Sequence, residues 1–396
     1  MKRSFRFTGA LFILLLFCNQ VITAQEVVIA KIGFQFDTIA MVPVTSVKNQ
    51  NKSGTCWSFG ATSFVEAELL RINKQEIDLS EMFFVYHAYL KKADNYVRLH
   101  GLANFGPGGQ AHDVMDIIRD HGMLNESDYQ AYVPGFDNHV HGELDNVLGG
   151  FVKDVVKNPS GHLSQAWRDA FKLMLNSYLG DAEAKSDIAL NNLSKNNFNP
   201  DDYIELTSYM YKPFYKQIRL EVPDNWSYSM YYNIPLDEMM ELLKSAIKGG
   251  YSICWDGDVS DPGFSHKNGL AIMPETQVKN LAGSEQSKWE AMSKKELMKN
   301  MYSFEEPITE MNVTDSLRQN AFDNYSATDD HLMHLTGLLK DQNGTFYYVT
   351  KNSWADNSNE NGGYLSMSEA YMRMNTVAIM IHRDALPKAL KKKLGI

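Results

Sequence analysis

One cysteine stands at the start of a helix-like run, where a nucleophile could be aimed by the helix behind it. Cys56 lies in NQNKSGTCWSFGATSFVEAELL (49–70), between a glycine-bearing loop and an apolar segment. A helix N-terminus favours a thiolate, because its free N–H groups carry partial positive charge. Gln50, on the same loop, has a side-chain amide that can donate to a developing oxyanion. Three interpretations of Cys56 are open: an inert core thiol, half of a disulfide, or a nucleophile.

A thiol nucleophile also needs a base and a group that orients the base. Within the sheet-rich half of the chain, DDHLMHLTG places His331 and His334 at the mouth of a strand. Positions three apart on a strand point to opposite faces, so at most one of them enters a cleft. Downstream, TKNSWA supplies Asn352, whose amide could orient an imidazole, and Trp354, whose indole could shield that bond from water.

The remaining cysteines and histidines leave two alternatives to this thiol site. Apart from Cys18, which belongs to the N-terminal segment described below, only Cys254 could pair with Cys56. Exported proteins usually pair their cysteines, but Cys254 falls in GYSICWDGDV, a strand-like run typical of a small core residue. His331 and His334 could instead suggest a metal, yet no third ligand cluster accompanies them. We therefore expect no metal and no cofactor.

The elements that must position these residues change in character along the chain. Helical spacing of apolar residues follows Cys56–Ile72 and returns in 79–99, and a glycine-rich loop leads into a third helix within 104–122. The stretch 140–220 is helix-like and then polar and Asn-rich, which predicts a mainly helical insertion. Another helix is predicted in 235–250, with a proline early and glycines after its end.

Strand-like segments dominate the rest of the chain. YSICWDGDV, LMHLTGLLK, TFYYVTKNSW and TVAIMIHRDA are separated by turns rich in Gly, Asp and Asn. The sequence DQNGT between two of them predicts a hairpin. Helices first and an antiparallel sheet later indicate an α+β, two-lobed enzyme.

Composition and charge exclude several classes of protein. The chain has 396 residues, 44% hydrophobic and 22% charged, which is typical of a globular protein. MKRSFRFTGALFILLLFCNQVITAQ predicts a secretory signal peptide over residues 1–24, with an uncleaved anchor as the alternative, and no second stretch resembles a transmembrane helix. Its removal takes the net charge from −10 to about −13. Such an acidic protein repels nucleic acid and anionic membrane surfaces.

Three motifs in order, QNKSGTCWSF, DHLMHLTGL and KNSW…GGYLSM, resemble the papain-like cysteine peptidases. Papain and the cathepsins carry a further cysteine shortly before the nucleophile, where this chain has Ser53. That difference is similar to the bleomycin hydrolase and aminopeptidase C branch. In that branch the histidine and asparagine also lie far from the cysteine. Here His331 and Asn352 follow Cys56 by 275 and 296 residues, against about 130–150 in papain.

The resemblance implies a papain-like fold over residues 25–396, with a helical lobe, an antiparallel sheet or barrel lobe and the insertion at 140–220. It implies a peptide or protein substrate. The implied catalytic residues are a nucleophile, a base, an orienting amide and an oxyanion donor: Cys56, His331, Asn352 and Gln50. The implied substrate-binding and supporting residues are Gly108, Gly109, Trp57, Asp330 and Trp354. Asp330 precedes His331, as an acid often does in these enzymes, and this favours His331 over His334.

Three further expectations concern function. Family members typically extend into a C-terminal arm that lies in the cleft and restricts them to free N-termini. This chain stops at ALPKALKKKLGI, so we expect an open cleft and endopeptidase or less regular exopeptidase action. The alternatives are a catalytically retired fold that serves as a binding or scaffold protein, and acyl transfer to an amine or thiol. The sequence also leaves open whether the protein forms a homo-oligomer.

Export is expected from the signal peptide. A glycan on the sequon Asn51-Lys52-Ser53 would crowd the site, which favours a compartment that does not N-glycosylate. We therefore expect a periplasmic or secreted protein of a bacterium.

Overall fold

The structure is a computed structural model that describes residues 33–275 and 299–396, so the predicted signal peptide lies outside the described residues. The helices are α1 (Cys56–Asn73), α2 (Glu81–Arg98), α3 (Ala111–His121), α4 (Gly142–Val156), α5 (Ala166–Leu179), α6 (Ser186–Lys195), α7 (Leu236–Lys248), α8 (Asp315–Asp323), α9 (Glu369–Asn375) and α10 (Lys388–Leu394). The strands are β1 (Phe36–Met41), β2 (Tyr203–Thr207), β3 (Lys216–Arg219), β4 (Met230–Asn233), β5 (Ile253–Gly257), β6 (Phe264–Ser265), β7 (Leu270–Ala271), β8 (His331–Asp341), β9 (Phe346–Lys351), β10 (Tyr364–Ser368) and β11 (Thr376–His382). Among these helices, none combines the length and the apolar character needed to cross a bilayer.

One sheet collects all of these strands. Its order is β3-β4-β2-β11-β5-β8-β9-β10-β7-β6, and β1 pairs with β8 beside this path. Neighbours are antiparallel except β2–β4 and β7–β10. The α+β class with an antiparallel sheet is therefore confirmed, and β8 lies between β5 and β9, well inside the sheet.

The sheet separates two apolar cores. Helices α1 to α6 form the first core on one face, and α7, α9 and α10 form the second core on the other face. Because side chains alternate along a strand, Cys254 of β5 belongs to the first core and its neighbour Trp255 to the second. The last helix is part of the second core, where Leu390 and Leu394 pack with residues of α7.

Helix α1 contacts both the neighbouring helices of the first core and the sheet. Apolar spacing predicted one buried face, but Trp57, Phe59 and Phe64 are all buried, because α1 is enclosed by α2, α3 and β8. A Cβ atom at Gly60 would lie 2.9 Å from the carbonyl oxygen of Leu332. The missing side chain therefore lets α1 approach β8 one turn after Cys56.

The β8–β9 hairpin sets the register of the strands that carry the predicted site. As predicted, DQNGT forms its turn: Asp341 N–H donates to the Thr345 carbonyl oxygen (2.9 Å), and Gly344 adopts a φ of +90°. In this register His334 faces Lys351. Asn352, directly after β9, is thereby brought to the end of β8 where His331 lies.

The stretch 140–220 is only partly as expected. Three helices, α4, α5 and α6, occupy most of it, in agreement with a mainly helical insertion. Strands β2 and β3 then follow, and β2 pairs with β11 inside the sheet. Strand β2 has five residues and follows a polar, Asn-rich run, so its pattern is too short to separate from the surrounding sequence.

Candidate active site

Cys56 is the first residue of α1 and is half-buried. The loop before it is tied to the loop after β9, since Gln50 N–H donates to the Ser353 carbonyl oxygen (2.8 Å) and Ser353 Oγ donates to Gln50 Oε1 (2.6 Å). Cys56 and Cys254 are both free thiols, so the alternative disulfide is not formed.

His331, Asn352 and Trp354 come together as the sequence predicted. His331 Nε2–H donates to Asn352 Oδ1 over 2.8 Å, because an amide oxygen can only accept. In the neutral ring this leaves Nδ1 with the free lone pair. The indole of Trp354 lies 5.0 Å from the imidazole, centre to centre, and His331 is only 5% exposed. The hydrogen bond that fixes the imidazole is thus shielded from water.

The Cys56 thiol lies beside the start of β8. The backbone N–H of Leu332, the residue after His331, is close enough to lower the pKa of this thiol. His334 has different partners: Ser63 Oγ donates to its Nδ1 (2.9 Å). The geometry therefore agrees with the choice of His331 over His334. Within residues 33–275 and 299–396, no group of three or more His, Cys, Asp or Glu side chains could hold a metal ion.

A further histidine, His266, completes the surroundings of Asn352. Asn352 Nδ2–H donates to His266 Nδ1 (3.2 Å), and His266 Nε2–H donates to Ser358 Oγ (2.7 Å). Its ring also lies 4.8 Å from that of Trp354. Sequence reasoning missed this residue, because an isolated histidine in the loop between β6 and β7 carries no pattern.

Two of the predicted site groups are hydrogen-bond donors near the start of α1. The Cys56 N–H lies in the first turn of α1, where backbone N–H groups have no acceptor within the helix. Gln50 Nε2 donates one hydrogen to the Ser53 carbonyl oxygen (3.0 Å) and has a second hydrogen on the same nitrogen.

The glycine loop is anchored to α1 and α2. Trp57 Nε1–H donates to the Pro107 carbonyl oxygen (2.8 Å), and the buried Lys92 Nζ donates to the Gly108 carbonyl oxygen. A Cβ atom at Gly109 would lie 3.0 Å from the Trp57 ring. These contacts hold the loop backbone close to the helix that carries Cys56.

Burial keeps the thiol protonated in this structure. It raises the pKa of Cys56 to about 12, and the carboxyl groups of Asp224, Asp256 and Asp329 act in the same direction. The Leu332 N–H opposes them. The position at a helix N-terminus had predicted a lowered pKa, and this expectation is wrong for the free protein, because the loss of hydration outweighs the helix.

Burial also keeps the base neutral. It lowers the pKa of His331 to about 4, although the hydrogen bond to Asn352 acts in the opposite direction. His266 lowers this pKa further, and Asp330 raises it. Asp330 itself is exposed and accepts a hydrogen bond from Thr328 Oγ1 (2.8 Å). At neutral pH the thiol and the imidazole are therefore both uncharged.

Comparison with known proteins finds family matches in two parts of the chain. Residues 33–158 match the papain family of cysteine proteases, and residues 281–395 match the Peptidase C1-like family. Aminopeptidase C of Streptococcus thermophilus is 22% identical over 390 residues, which covers 86% of this chain and 81% of that protein. Cysteine proteinase 1, mitochondrial, of Saccharomyces cerevisiae is 33% identical over 63 residues, which span 16% of this chain and only 13% of the yeast protein.

A solved structure agrees over most of the length. PepW from Lactobacillus rhamnosis superposes with a TM-score of 0.66 at 16% identity, covering 91% of this chain and 84% of PepW. The resemblance stated from the three motifs is confirmed: two parts of the chain match papain-type peptidase families, and aminopeptidase C is a relative along most of its length.

Proposed function

We propose that the protein is a thiol peptidase that hydrolyses peptide bonds with Cys56 as nucleophile. The observation that carries this proposal is the 2.8 Å hydrogen bond between His331 Nε2 and Asn352 Oδ1. It leaves the lone pair of Nδ1 free to act as a base, at the end of β8 where the Cys56 thiol lies. A binding protein would have no need of a buried imidazole held in this tautomer.

In the acylation step, His331 Nδ1 takes the proton of the Cys56 thiol as sulfur attacks the substrate carbonyl carbon. A C–S bond forms, and the carbonyl electron pair moves to oxygen. The Cys56 N–H and Gln50 Nε2–H stabilise that oxyanion. The charge that develops on His331 is stabilised by Asn352 Oδ1. Collapse then breaks the C–N bond, and the imidazolium gives its proton to the leaving amine.

In the deacylation step, water replaces the amine. His331 Nδ1 takes a proton from the attacking water, a second oxyanion occupies the same donors, and the C–S bond breaks. The carboxylic acid leaves, and Cys56 regains its proton from His331. The Cys56 thiol and the His331 imidazole are uncharged before and after each turnover. Opposite charges on these two groups therefore exist only while substrate shields the site from water.

Hydrolysis of fluorogenic peptides by the wild-type chain tests the proposal. We expect cleavage by the wild type and by Cys254→Ser, and none above background with Cys56→Ser. Cys254 is the matched control, since it is the other free thiol of the described residues and lies in the first core. Equal activity of the two variants would contradict the proposal, and inactivity of the wild type would favour a binding or scaffold protein.

The same assay separates exopeptidase from endopeptidase action. We propose that the cleft also admits internal bonds, because α10, the last described helix, packs with α7 in the second core. Peptides with a blocked N-terminus should then be cleaved. Cleavage restricted to peptides with a free amine would instead support an aminopeptidase.

We also propose that the protein is exported and that its mature chain begins at Gln25. The basic start, the apolar stretch and the small residues before Gln25 support a cleaved signal peptide. Expression from the native N-terminus in a Gram-negative host, followed by fractionation and N-terminal sequencing, tests this. We expect a periplasmic chain that starts at Gln25; an intact N-terminus in the membrane fraction would contradict it.

A further inference from the structure

A buried ion pair fixes the start of α3, directly after the glycine loop. His112 is the second residue of α3, Glu205 lies in the middle of β2, and both side chains are buried. His112 Nδ1 lies 2.8 Å from Glu205 Oε2. Glu205 Oε1 also accepts from the backbone N–H of His112 (3.2 Å), one of the N–H groups that have no acceptor within the helix. Glu205 therefore holds both the side chain and the backbone of this turn.

The other ring nitrogen of His112 joins the pair to the segment 224–227, which packs against the glycine loop. His112 Nε2 lies 2.9 Å from Ser227 Oγ. At the other end of this segment, Asp224 is so close to Gly108 that an added Cβ atom would collide with its carboxyl group. The segment is thus held between His112 and the loop.

The first turn of α3 is tied to the same loop. Gln110 directly follows the two loop glycines, and its backbone N–H donates to Asp113 Oδ2 (2.9 Å). The same oxygen accepts from Trp226 Nε1–H (2.9 Å). A Cβ atom at Gly109 would lie 2.7 Å from it. A shift of this turn would therefore also shift the loop backbone.

Acidic groups around His112 favour its charged form. Burial lowers the pKa of His112, but Glu205 and Asp113 raise it more strongly, to about 9. The other titratable groups near the imidazole belong to α3, β2 and β4: Asp116, Arg119, Tyr203, Tyr231 and Tyr232. The pair lines an open cavity of about 240 Å³, so water can reach it. The ion pair is therefore present at neutral pH and is lost as the pH rises through about 9.

We propose that the ion pair between His112 and Glu205 positions the glycine loop for binding of the substrate backbone. This inference rests on the proposed function and on Gly108 and Gly109 as substrate-binding residues. A buried ion pair often contributes little net stability compared with apolar residues of similar volume, whereas its hydrogen bonds fix where α3 begins. Both members are positioning residues, because they act through α3 and the segment 224–227.

The steady-state constants for a fluorogenic peptide with at least two residues before the cleaved bond test this role. His112→Gln removes the charge and leaves Glu205 buried without its cation. We expect KM to rise about tenfold and kcat to stay within about twofold, since the loop binds ground state and transition state alike. His112→Gln/Glu205→Gln replaces the ion pair by two amides and should return KM to within about threefold of the wild type.

The pH profile supplies a second measurement. In the wild type, KM should rise as the pH passes about 9, because His112 then loses its charge. In the double variant, KM should not show this rise, since neither glutamine titrates. All other titratable groups are common to the two proteins, so the difference between their profiles isolates the pair.

His87→Gln is the matched control. His87 is also buried, and its ring stacks on His121, the last residue of α3, with 3.9 Å between ring centres. The same substitution is thus made at the opposite end of the helix. It should leave KM unchanged even if the melting temperature falls.

The outcomes are separable. An unchanged KM in His112→Gln, an equal rise of KM in His87→Gln, or the wild-type alkaline rise of KM in the double variant overturns the positioning role and leaves the proposed function intact. If His112→Gln does not fold, the pH profiles of the wild type and the double variant decide. Failure of the wild type to cleave the peptide contradicts the proposed function itself.

Discussion

The polar groups on the two sides of the Cys56 thiol have different kinds of partners. On one side, the polar atoms of Asn352 are engaged: Oδ1 accepts from His331 Nε2 and from the Ser353 N–H, and Nδ2 donates to His266. On the other side, Asp256 is as deeply buried, and its carboxyl group interacts with the carboxyl group of Asp329 and the side-chain amide of Gln110. The first arrangement orients an imidazole, and the second places acids beside the thiol.

This contrast separates positioning of the base from control of the thiol pKa. A hydrogen-bonded imidazole is oriented before substrate arrives, so no reorganisation is needed during reaction. The carboxyl groups of Asp256 and Asp329 instead raise the pKa of the Cys56 thiol. Variants on the imidazole side and on the carboxyl side should therefore change different measured properties.

The largest effect is expected on the imidazole side. His331→Ala should lower kcat/KM by about 10³–10⁴-fold, because both the base and the acid are lost. Thermal unfolding should show a folded variant. A residual activity within tenfold of the wild type would mean that another group takes the proton, and the contrast between the two sides would be lost.

Gln50→Glu removes one oxyanion donor while keeping an acceptor for Ser353 Oγ. We expect kcat to fall about a hundredfold with little change in KM, since the donor acts on the transition state. Ser353→Ala is the matched control, because it removes only the bond to Gln50 Oε1. Equal losses in both variants would indicate that loop anchoring, and not oxyanion stabilisation, is what matters.

The double variant Asp256→Asn/Asp329→Asn sharpens the comparison on the carboxylate side. Carboxylates raise the pKa of Cys56, so their removal lowers it and increases the thiolate fraction at a given pH. Alkylation by uncharged iodoacetamide should become about tenfold faster at alkaline pH, per unit of pKa. Slower alkylation would indicate a distorted site.

His266→Phe should have the smallest effect. It removes an acceptor from Asn352 Nδ2, and we expect kcat to fall about threefold. His266 lowers the pKa of His331, so its loss raises that pKa and moves the acid limb of kcat/KM to higher pH. Ser358→Ala removes the hydrogen bonds of Ser358 Oγ to His266 and to the Ala355 carbonyl oxygen but none to Asn352, so it should shift the limb less. An unmoved acid limb would show that His266 has no influence on the base.

The sequence predicted the imidazole side better than the carboxylate side. Cys56, His331 and Asn352 lie in local motifs, and the predicted hairpin brings the last two together. Asp256 and Asp329 lie in the quoted segments GYSICWDGDV and DDHLMHLTG, but neither of them carries a predicted role. They meet because β5 pairs with β8 in the sheet, a contact between residues far apart in the chain.

Burial is the other property that local sequence patterns could not predict. The helix start at Cys56 is visible in the sequence, but the enclosure of α1 by α2, α3 and β8 is a tertiary property. That enclosure reverses the expected direction of the thiol pKa. His266 was not predicted as a site residue for the same reason, since only the packing of its loop against Trp354 places it beside Asn352.

The most direct test of the central claim is labelling with an epoxide thiol trap followed by mass mapping. The account predicts a single modification at Cys56 in the wild type, which is greatly slowed in His331→Ala and unaffected in Cys254→Ser. Equal modification of Cys254, or labelling of Cys56 that is independent of His331, would contradict the assignment of Cys56 as an activated nucleophile.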